Sequence, residues 1–307
     1  MTREEYQEKQ ENEKKIILQE YPFSMSIETS AYCNYRCTMC ENPNMKRKKG
    51  FMQKHLFTKI VDEVCNKDIQ RFYMSGYGEP LLNENICELV SYASNAGIKN
   101  TYLNTNGMLL NEKIAQGLIE GGLHCLIVSI DGFSREVYES IRVGGNRDIV
   151  YENVSRYLDI LKQKGTGNQM VEVQLILMDQ VIPEREKIIS FWNSKGASIK
   201  LKTLIKWGDG KDLLPDNNDC VSFQRLACDF CNECQIMWNG DAAVCSCGDV
   251  EVTHVIGNAY DSTIKELWSK KKEVFGLHHI NHTFEKLPLF CQACSNWMTT
   301  FAKHIKN

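Results

Sequence analysis

Cys33, Cys37 and Cys40 stand in one short stretch with the spacing C-x3-C-x2-C. Three thiolates this close together can hold three irons of a [4Fe–4S] cube and leave the fourth iron open to a ligand, whereas electron-transfer clusters take four cysteines. Zinc sites pair a C-x2-C with a second ligand pair, and none follows nearby. A second set of thiols is spread over the C-terminal third: Cys220, Cys228, Cys231, Cys234, Cys245 and Cys247, then Cys291-x2-Cys294. Spacing alone does not separate zinc from iron–sulfur binding for that set. Cys65, Cys87 and Cys125 fall in predicted helices or a strand, where a free cysteine behaves as a small apolar core residue.

The elements that must position these thiols follow from periodicity. Short β-branched runs alternate with segments of helical period, which predicts repeated βα units on a parallel sheet. The strands are expected at Met25–Ser30, Arg71–Ser75, Asn100–Asn104, Cys125–Ile130, Val171–Met178 and Ile199–Ile205. Helices are expected at Gln53–Asn66, Asn85–Ala96, Asn111–Glu120, Ser134–Ile141, Asp148–Lys164 and Glu184–Ser194. Gly97, Gly121, Gly165 and Gly196 sit where helices should stop, supplying the left-handed conformation of a C-terminal cap. The three-cysteine loop then leaves the C-terminal end of the first strand, the face on which parallel α/β sheets place their sites.

After Ile205 the pattern changes. Trp207–Asp219 is rich in Gly, Asp and Asn, which predicts a domain boundary near residue 210. Gln235–Trp238 and Asp241–Cys245 flank Asn239-Gly240, the dipeptide that suits a two-residue type I′ hairpin. Thr263–Lys272 reads as an amphipathic helix and the remainder to Cys294 as irregular structure. The domain expectation is thus residues 1–20 as an N-terminal helical extension, 21–210 as the βα domain and 211–307 as a small cysteine-rich domain.

The loop Cys33-Asn-Tyr-Arg-Cys37-Thr-Met-Cys40 resembles the hallmark of the radical S-adenosylmethionine superfamily. The resemblance implies a partial (β/α)6 barrel related to the TIM barrel, with a cluster on those cysteines and S-adenosylmethionine on its open iron. Gly76-Tyr-Gly-Glu-Pro80 is similar to the family's glycine-rich segment that grips the methionine amino group. Gly78, Glu79 and Pro80 match, Tyr77 replaces a glycine, and Gly76 opens the segment as a further expected cofactor-binding residue. Physically, glycine admits close backbone approach and a carboxylate suits an amine. Asn104-Thr-Asn106-Gly107 and Ser129-Ile-Asp131-Gly132 resemble family segments near the cofactor, the second one at the ribose. Arg142 resembles an arginine that meets the cofactor's carboxylate or ribose, with a solvated helix-end cation as its alternative. Met39 occupies the place that packs near the adenine, with plain core packing as its alternative.

The C-terminal layout resembles the auxiliary-cluster domain called SPASM in its full form and twitch in its shortened form. That likeness implies an auxiliary [4Fe–4S] cluster on Cys228, Cys245, Cys291 and Cys294, with Cys231 or Cys234 as replacements for Cys228. Cys247 is a spare ligand or a hydrogen-atom donor to a substrate radical, and residues alone do not decide between them. The implied activity is generation of a 5′-deoxyadenosyl radical that abstracts hydrogen. The leading expectation is a radical S-adenosylmethionine oxidoreductase that dehydrogenates a small molecule such as a sugar or aminocyclitol. Radical epimerisation or rearrangement, and peptide modification, are its alternatives. The short segment before the first strand lowers the expectation of a peptide substrate. From another class, a noncatalytic electron-transfer or redox-sensing iron–sulfur protein would need four cysteines on each cluster.

Composition narrows these classes. The chain has 307 residues and 14 cysteines, long enough to bury roughly three quarters of its unfolded surface without disulfide help. No eighteen-residue apolar run is present, and Met1–Glu20 is dominated by Glu, Lys and Gln, so neither a membrane span nor a secretory signal is expected. A cytoplasmic setting follows, in which clustered thiols bind metal or do redox chemistry. An external electron donor such as flavodoxin or ferredoxin is the expected partner. The net charge of −3 gives no footprint for nucleic acid. Lys46–Lys49 reads as a solvated basic loop that could screen an anionic substrate, and His278 to His282 as an exposed helix end.

Overall fold

In the computed structural model, residues 3–165, 167–203, 227–292 and 294 are described. The proposed junction at 210/211, Leu204 and Ile205 of the sixth expected strand, and Cys220 lie outside them.

Six parallel strands follow one another across the sheet: β1 (Ser24–Ile27), β2 (Arg71–Met74), β3 (Thr101–Thr105), β4 (Cys125–Ser129), β5 (Met170–Leu177) and β6 (Ser198–Thr203). Each expected strand is present, shifted by a few residues at its ends. The crossovers are α2 (Lys54–Val64), α3 (Ile86–Asn95), α4 (Glu112–Glu120), the pair α5 (Arg135–Ile141) and α6 (Arg147–Lys164), and α7 (Arg185–Lys195), all preceded by α1 (Arg3–Ile17). Each crossover buries one apolar stripe against the sheet, as Leu56, Phe57, Ile60, Val61 and Val64 do on α2. Asn111, Ser134 and Asn146 accept backbone N–H bonds at the starts of α4, α5 and α6, satisfying donors the helix leaves open.

Two turn expectations are corrected. Gly121 is right-handed at φ −69°, and Gly122, at φ +78°, takes the left-handed position after α4. At the hairpin, Gly240 N–H donates to Met237 carbonyl at 2.9 Å. Gly240 is at φ +87°, while Trp238 and Asn239 are absent from the residues with positive φ. The connection is therefore a right-handed turn closed by one left-handed glycine, a bulged hairpin in place of the type I′ turn.

The hairpin continues the barrel sheet. Its first strand, β7 (Glu233–Ile236), pairs parallel with β1, Ser24 facing Glu233 and Ile27 facing Ile236. The second, β8 (Asp241–Ala243), is antiparallel to β7, and β9 (Val255–Asn258) is antiparallel to β8. The sheet order is β6-β5-β4-β3-β2-β1-β7-β8-β9. The amphipathic helix is α8 (Ile264–Lys271), started by a Thr263/Glu266 capping box. The stretch expected to be irregular instead continues through a π-helical turn at Lys272–Gly276 into the short helices α9 (Leu277–Ile280) and α10 (Leu289–Gln292). No described helix is long and apolar enough to cross a membrane.

Candidate iron–sulfur and cofactor site

The three-cysteine loop is pinned from both sides at the C-terminal end of the sheet. Arg36 and Thr38 N–H groups donate to the Val143 and Ile141 carbonyls at the C-terminal end of α5, at 2.8 and 3.0 Å. On the other flank, Glu79 N–H donates to Tyr32 carbonyl at 2.7 Å. Gly78 is essential to that flank, because a Cβ there would lie 2.1 Å from the Ser30 carbonyl oxygen. Cys37 is buried, and Cys33 and Cys40 are half-buried. Their sulfurs accept N–H bonds from Tyr35 at 3.5 Å and Asn42 at 3.4 Å. Burial pushes the Cys33 thiol up to about 11 and raises that of Cys40, so loading iron on these residues must release protons.

Glu79, 2 % exposed, accepts from Leu81 N–H at 3.0 Å, Thr105 Oγ1 at 2.7 Å and Asn106 N–H at 2.8 Å. Burial outweighs these bonds and pushes its carboxyl up to about 7. Pro80 opens the short turn after it, and Gly76 packs over Glu28. Asn106 Nδ2 donates to Asn34 Oδ1 in the cysteine loop at 2.8 Å. Asn104 Oδ1 and Thr29 Oγ1 are buried without a hydrogen-bond partner, a state that asks for an additional polar group. Ser129 ends β4 opposite Gln174, and Met39 packs against the core margin.

Arg142 is no solvated helix-end cation. It is buried, its Nε donates to Asp131 Oδ2 at 2.7 Å, its Nη2 pairs with the same oxygen, and its Nη1 lies 3.6 Å from Cys37 Sγ. Asp131 Oδ1 accepts from Ile176 N–H at 2.6 Å. The aspartate thus ties β4 to β5 while aiming a guanidinium at the first thiol group.

The solvated reading of Lys46–Lys49 is also corrected. Arg47 forms a bidentate pair with buried Glu28 and donates to Val250 carbonyl at 3.1 Å. Glu251 accepts from the Lys46 and Arg47 N–H groups. Lys49 Nζ donates to Asn42, whose Nδ2 holds the Ala31 and Tyr77 carbonyls at 2.9 Å each. Tyr77 hydroxyl in turn donates to Cys247 carbonyl at 3.3 Å. Asn42, Arg47 and Tyr77 therefore join the two thiol groups, while Asn34 ties the first loop to Asn106. The sequence marked two of them, Tyr77 by its departure from the glycine-rich pattern and Arg47 within the basic run.

The second thiol group draws on three segments. Cys228, Cys231, Cys245, Cys247 and Cys291 are buried in one apolar cluster with Ile17, Val244, Phe275 and Leu287, and Cys294 is half-buried. Burial, then its neighbours Cys231, Cys245 and Cys247, raises the Cys228 thiol. Cys231 is raised by burial and by Cys291 and Cys245, and Cys245 by burial and Cys294. Cys234 is separate: it sits on β7 in the main core, with Lys271, Glu233 and Glu63 as its charged neighbours. Of the two replacements considered for Cys228, Cys231 lies in this group and Cys234 does not. His279 is likewise no exposed helix-end residue, being fully buried with Nε2 3.4 Å from Cys291 Sγ.

Among the described residues, no three His, Cys, Asp or Glu side chains converge tightly enough to hold a single metal ion. Thiolates on a cube each take a different iron. Three sulfurs with N–H and guanidinium donors, a glycine cradle and unpartnered Asn104 Oδ1 fit such a cube with a polar ligand beside it.

Two family models match the chain: the radical SAM superfamily over residues 27–191 and an iron–sulfur cluster-binding domain, SPASM, over 228–295. A probable GTP 3′,8-cyclase of Methanococcus maripaludis is 29 % identical over 179 residues, 58 % of this chain and 58 % of that protein. The mycofactocin maturase MftC of Mycobacterium tuberculosis is 26 % identical over 198 residues, 64 % of this chain and 48 % of the maturase. The chain thus spans about half the length of the curated relatives it matches. Among solved structures, BtrN in complex with AdoMet and 2-DOIA aligns with TM-score 0.58 and 20 % identity, covering 89 % of this chain and 92 % of BtrN. Streptococcus suis SuiB bound to its precursor peptide SuiA aligns with TM-score 0.66 and 15 % identity, covering 84 % and 67 %. At these identities the structural likeness speaks for the fold.

Proposed function

We propose, from the premise that this chain belongs to the radical SAM superfamily and carries a C-terminal auxiliary iron–sulfur domain, that it catalyses a net oxidation of an organic substrate. The leading substrate class is a small polyol-like molecule such as a sugar or aminocyclitol. The family assigns S-adenosylmethionine, a [4Fe–4S] cluster and auxiliary iron–sulfur binding as cofactors, and sets aside the noncatalytic reading. When bound, these cofactors supply one-electron chemistry that takes a hydrogen atom from substrate.

The chain's own residues orient and enclose that chemistry. Cys33, Cys37 and Cys40 would hold the first cluster. Gly76, Gly78, Glu79 and Pro80 would receive the amine of S-adenosylmethionine. Asn104, Asn106, Ser129, Asp131 and Arg142 would set its ribose and carboxylate, with Met39 beside the adenine. Cys228, Cys245, Cys291 and Cys294 would hold the auxiliary cluster, with Cys231 and Cys247 in reserve.

One observation carries the oxidative reading: the second thiol group is wired into the same sheet as the first, through β1–β7 pairing and the Tyr77–Cys247 hydrogen bond. Oxidising a carbinol to a carbonyl removes one hydrogen atom, one proton and one electron. The electron needs an acceptor, and the chain provides a second iron-binding group to receive it. A flavodoxin- or ferredoxin-type donor would supply the starting electron. Likeness to MftC and to peptide-bound SuiB supports peptide modification as a second reading.

Anaerobic turnover with deuterated candidates separates the two. Label from a carbinol carbon should appear in 5′-deoxyadenosine, with a carbonyl product formed in equal amount. Transfer from a precursor peptide, with none from sugars or aminocyclitols, would replace the small-molecule reading.

A further inference from the structure

Lys271 is fully buried, a position lysine seldom takes without a task. It closes α8, and its Nζ donates to the Glu233 carbonyl and lies 5.5 Å from the centre of the Phe275 ring. Glu233 lies two residues after Cys231 and directly before Cys234, and Phe275 is packed in the same apolar cluster as Cys231 and Cys245. The ammonium therefore sits against the second thiol group, where its charge lowers those thiols against the effect of burial. The Glu233 carboxyl also lies near this ammonium; it is raised by burial and accepts from Gln235 Nε2 at 2.7 Å. Ile17, Val244, Phe275 and Leu287 wall the thiols with apolar surface, so the interaction is screened far less than it would be in water.

We propose that Lys271 sets the reduction potential of the auxiliary iron–sulfur centre, holding it above the value its thiolate ligands alone would give. Each electron added to a thiolate-ligated cluster adds negative charge, and a fixed buried cation favours the reduced form. The inference rests on iron binding by the C-terminal thiols and holds whichever substrate is used. Its consequence is directional, because a higher potential makes the centre a better acceptor for an electron leaving substrate. Lys271 is a positioning residue acting through the cluster, and a purely structural role would leave the potential unmoved.

The test is a redox titration of the full, anaerobically reconstituted chain, followed by electron paramagnetic resonance. The auxiliary signal is the one that added S-adenosylmethionine leaves unchanged. Lys271→Met keeps the apolar stem, and Lys271→Gln also keeps a donor for the Glu233 carbonyl. Each should shift the reduced-to-oxidised ratio at fixed potential at least tenfold toward oxidised, a fall of about 59 mV for one electron. Lys271→Arg should restore the wild-type ratio within about threefold. Unchanged potential in either neutral variant that retains its iron would overturn the proposal, as would an equal fall in Lys271→Arg. Wild-type chain without C-terminal iron would instead overturn the assignment of the site itself.

Discussion

The two thiol groups solve opposite problems. The N-terminal one is a single loop of eight residues from Cys33 to Cys40, half-open, with Glu79, Asn106 and Arg142 held beside it. The C-terminal one gathers thiols from residues 228–231, 245–247 and 291–294 inside an apolar shell that α1 helps close through Ile17. The first resembles an exchange site, where ligand must enter and polar groups must meet it. The second resembles a sealed electron site, where burial and one fixed charge tune a potential.

Replacing one thiol in each group should break this comparison most sharply. Cys37→Ala should lower 5′-deoxyadenosine release by about 10⁴-fold or more, since removing a ligand removes the chemistry and not one increment of binding. Cys245→Ala should lose auxiliary iron and product by about 100-fold while leaving nucleoside release within about threefold. Equal loss of both outputs in the second variant would mean that the two groups do not divide the labour.

A smaller effect sharpens the exchange-site half. Gly78→Ala forces a methyl onto the Ser30 carbonyl, which should cost about 2 kcal/mol of stability by thermal unfolding and weaken S-adenosylmethionine binding in calorimetry. Unchanged affinity would remove this backbone approach from the account.

Glu79 gives the smallest effect. Its folded carboxyl is raised from 4.5 to about 7, so its contribution to stability is full below the unfolded value and is lost as pH rises through the folded one. Without S-adenosylmethionine, raising the pH from 6 to 8 should cost the wild type about 1.4 kcal/mol that Glu79→Gln does not lose. A difference between the two proteins that does not vary with pH would place the carboxyl in its ordinary range.

The sequence made the exchange site readable because its determinants are local. Three cysteines lie in one loop, and Gly78-Glu79-Pro80 and Ser129-Ile-Asp-Gly132 follow the second and fourth strands of a regular βα series. The sealed site is tertiary, and spacing could not rank Cys231 above Cys234. Both follow Cys228 at short intervals, but Cys234 enters β7 and turns toward the main core while Cys231 stays on the preceding short helical turn. Arg47 and His279 were misread for the same reason. Charged and imidazole side chains look solvent-facing in one dimension, and only packing reveals the Glu28 carboxylate and the Cys291 sulfur that receive them. The hairpin turn differed because Asn-Gly suits both a two-residue and a bulged connection, and the register of β7 against β8 chose the second.

The central claim is that the N-terminal loop leaves one iron open for S-adenosylmethionine. Pulsed electron paramagnetic resonance of the reduced first cluster, with S-adenosylmethionine labelled at its amino nitrogen with ¹⁵N, tests that claim most directly. A hyperfine coupling from the label, abolished in Glu79→Ala or weakened with it, is the result expected. A spectrum that the labelled compound leaves unaltered, from a cluster with four protein ligands, would contradict the account.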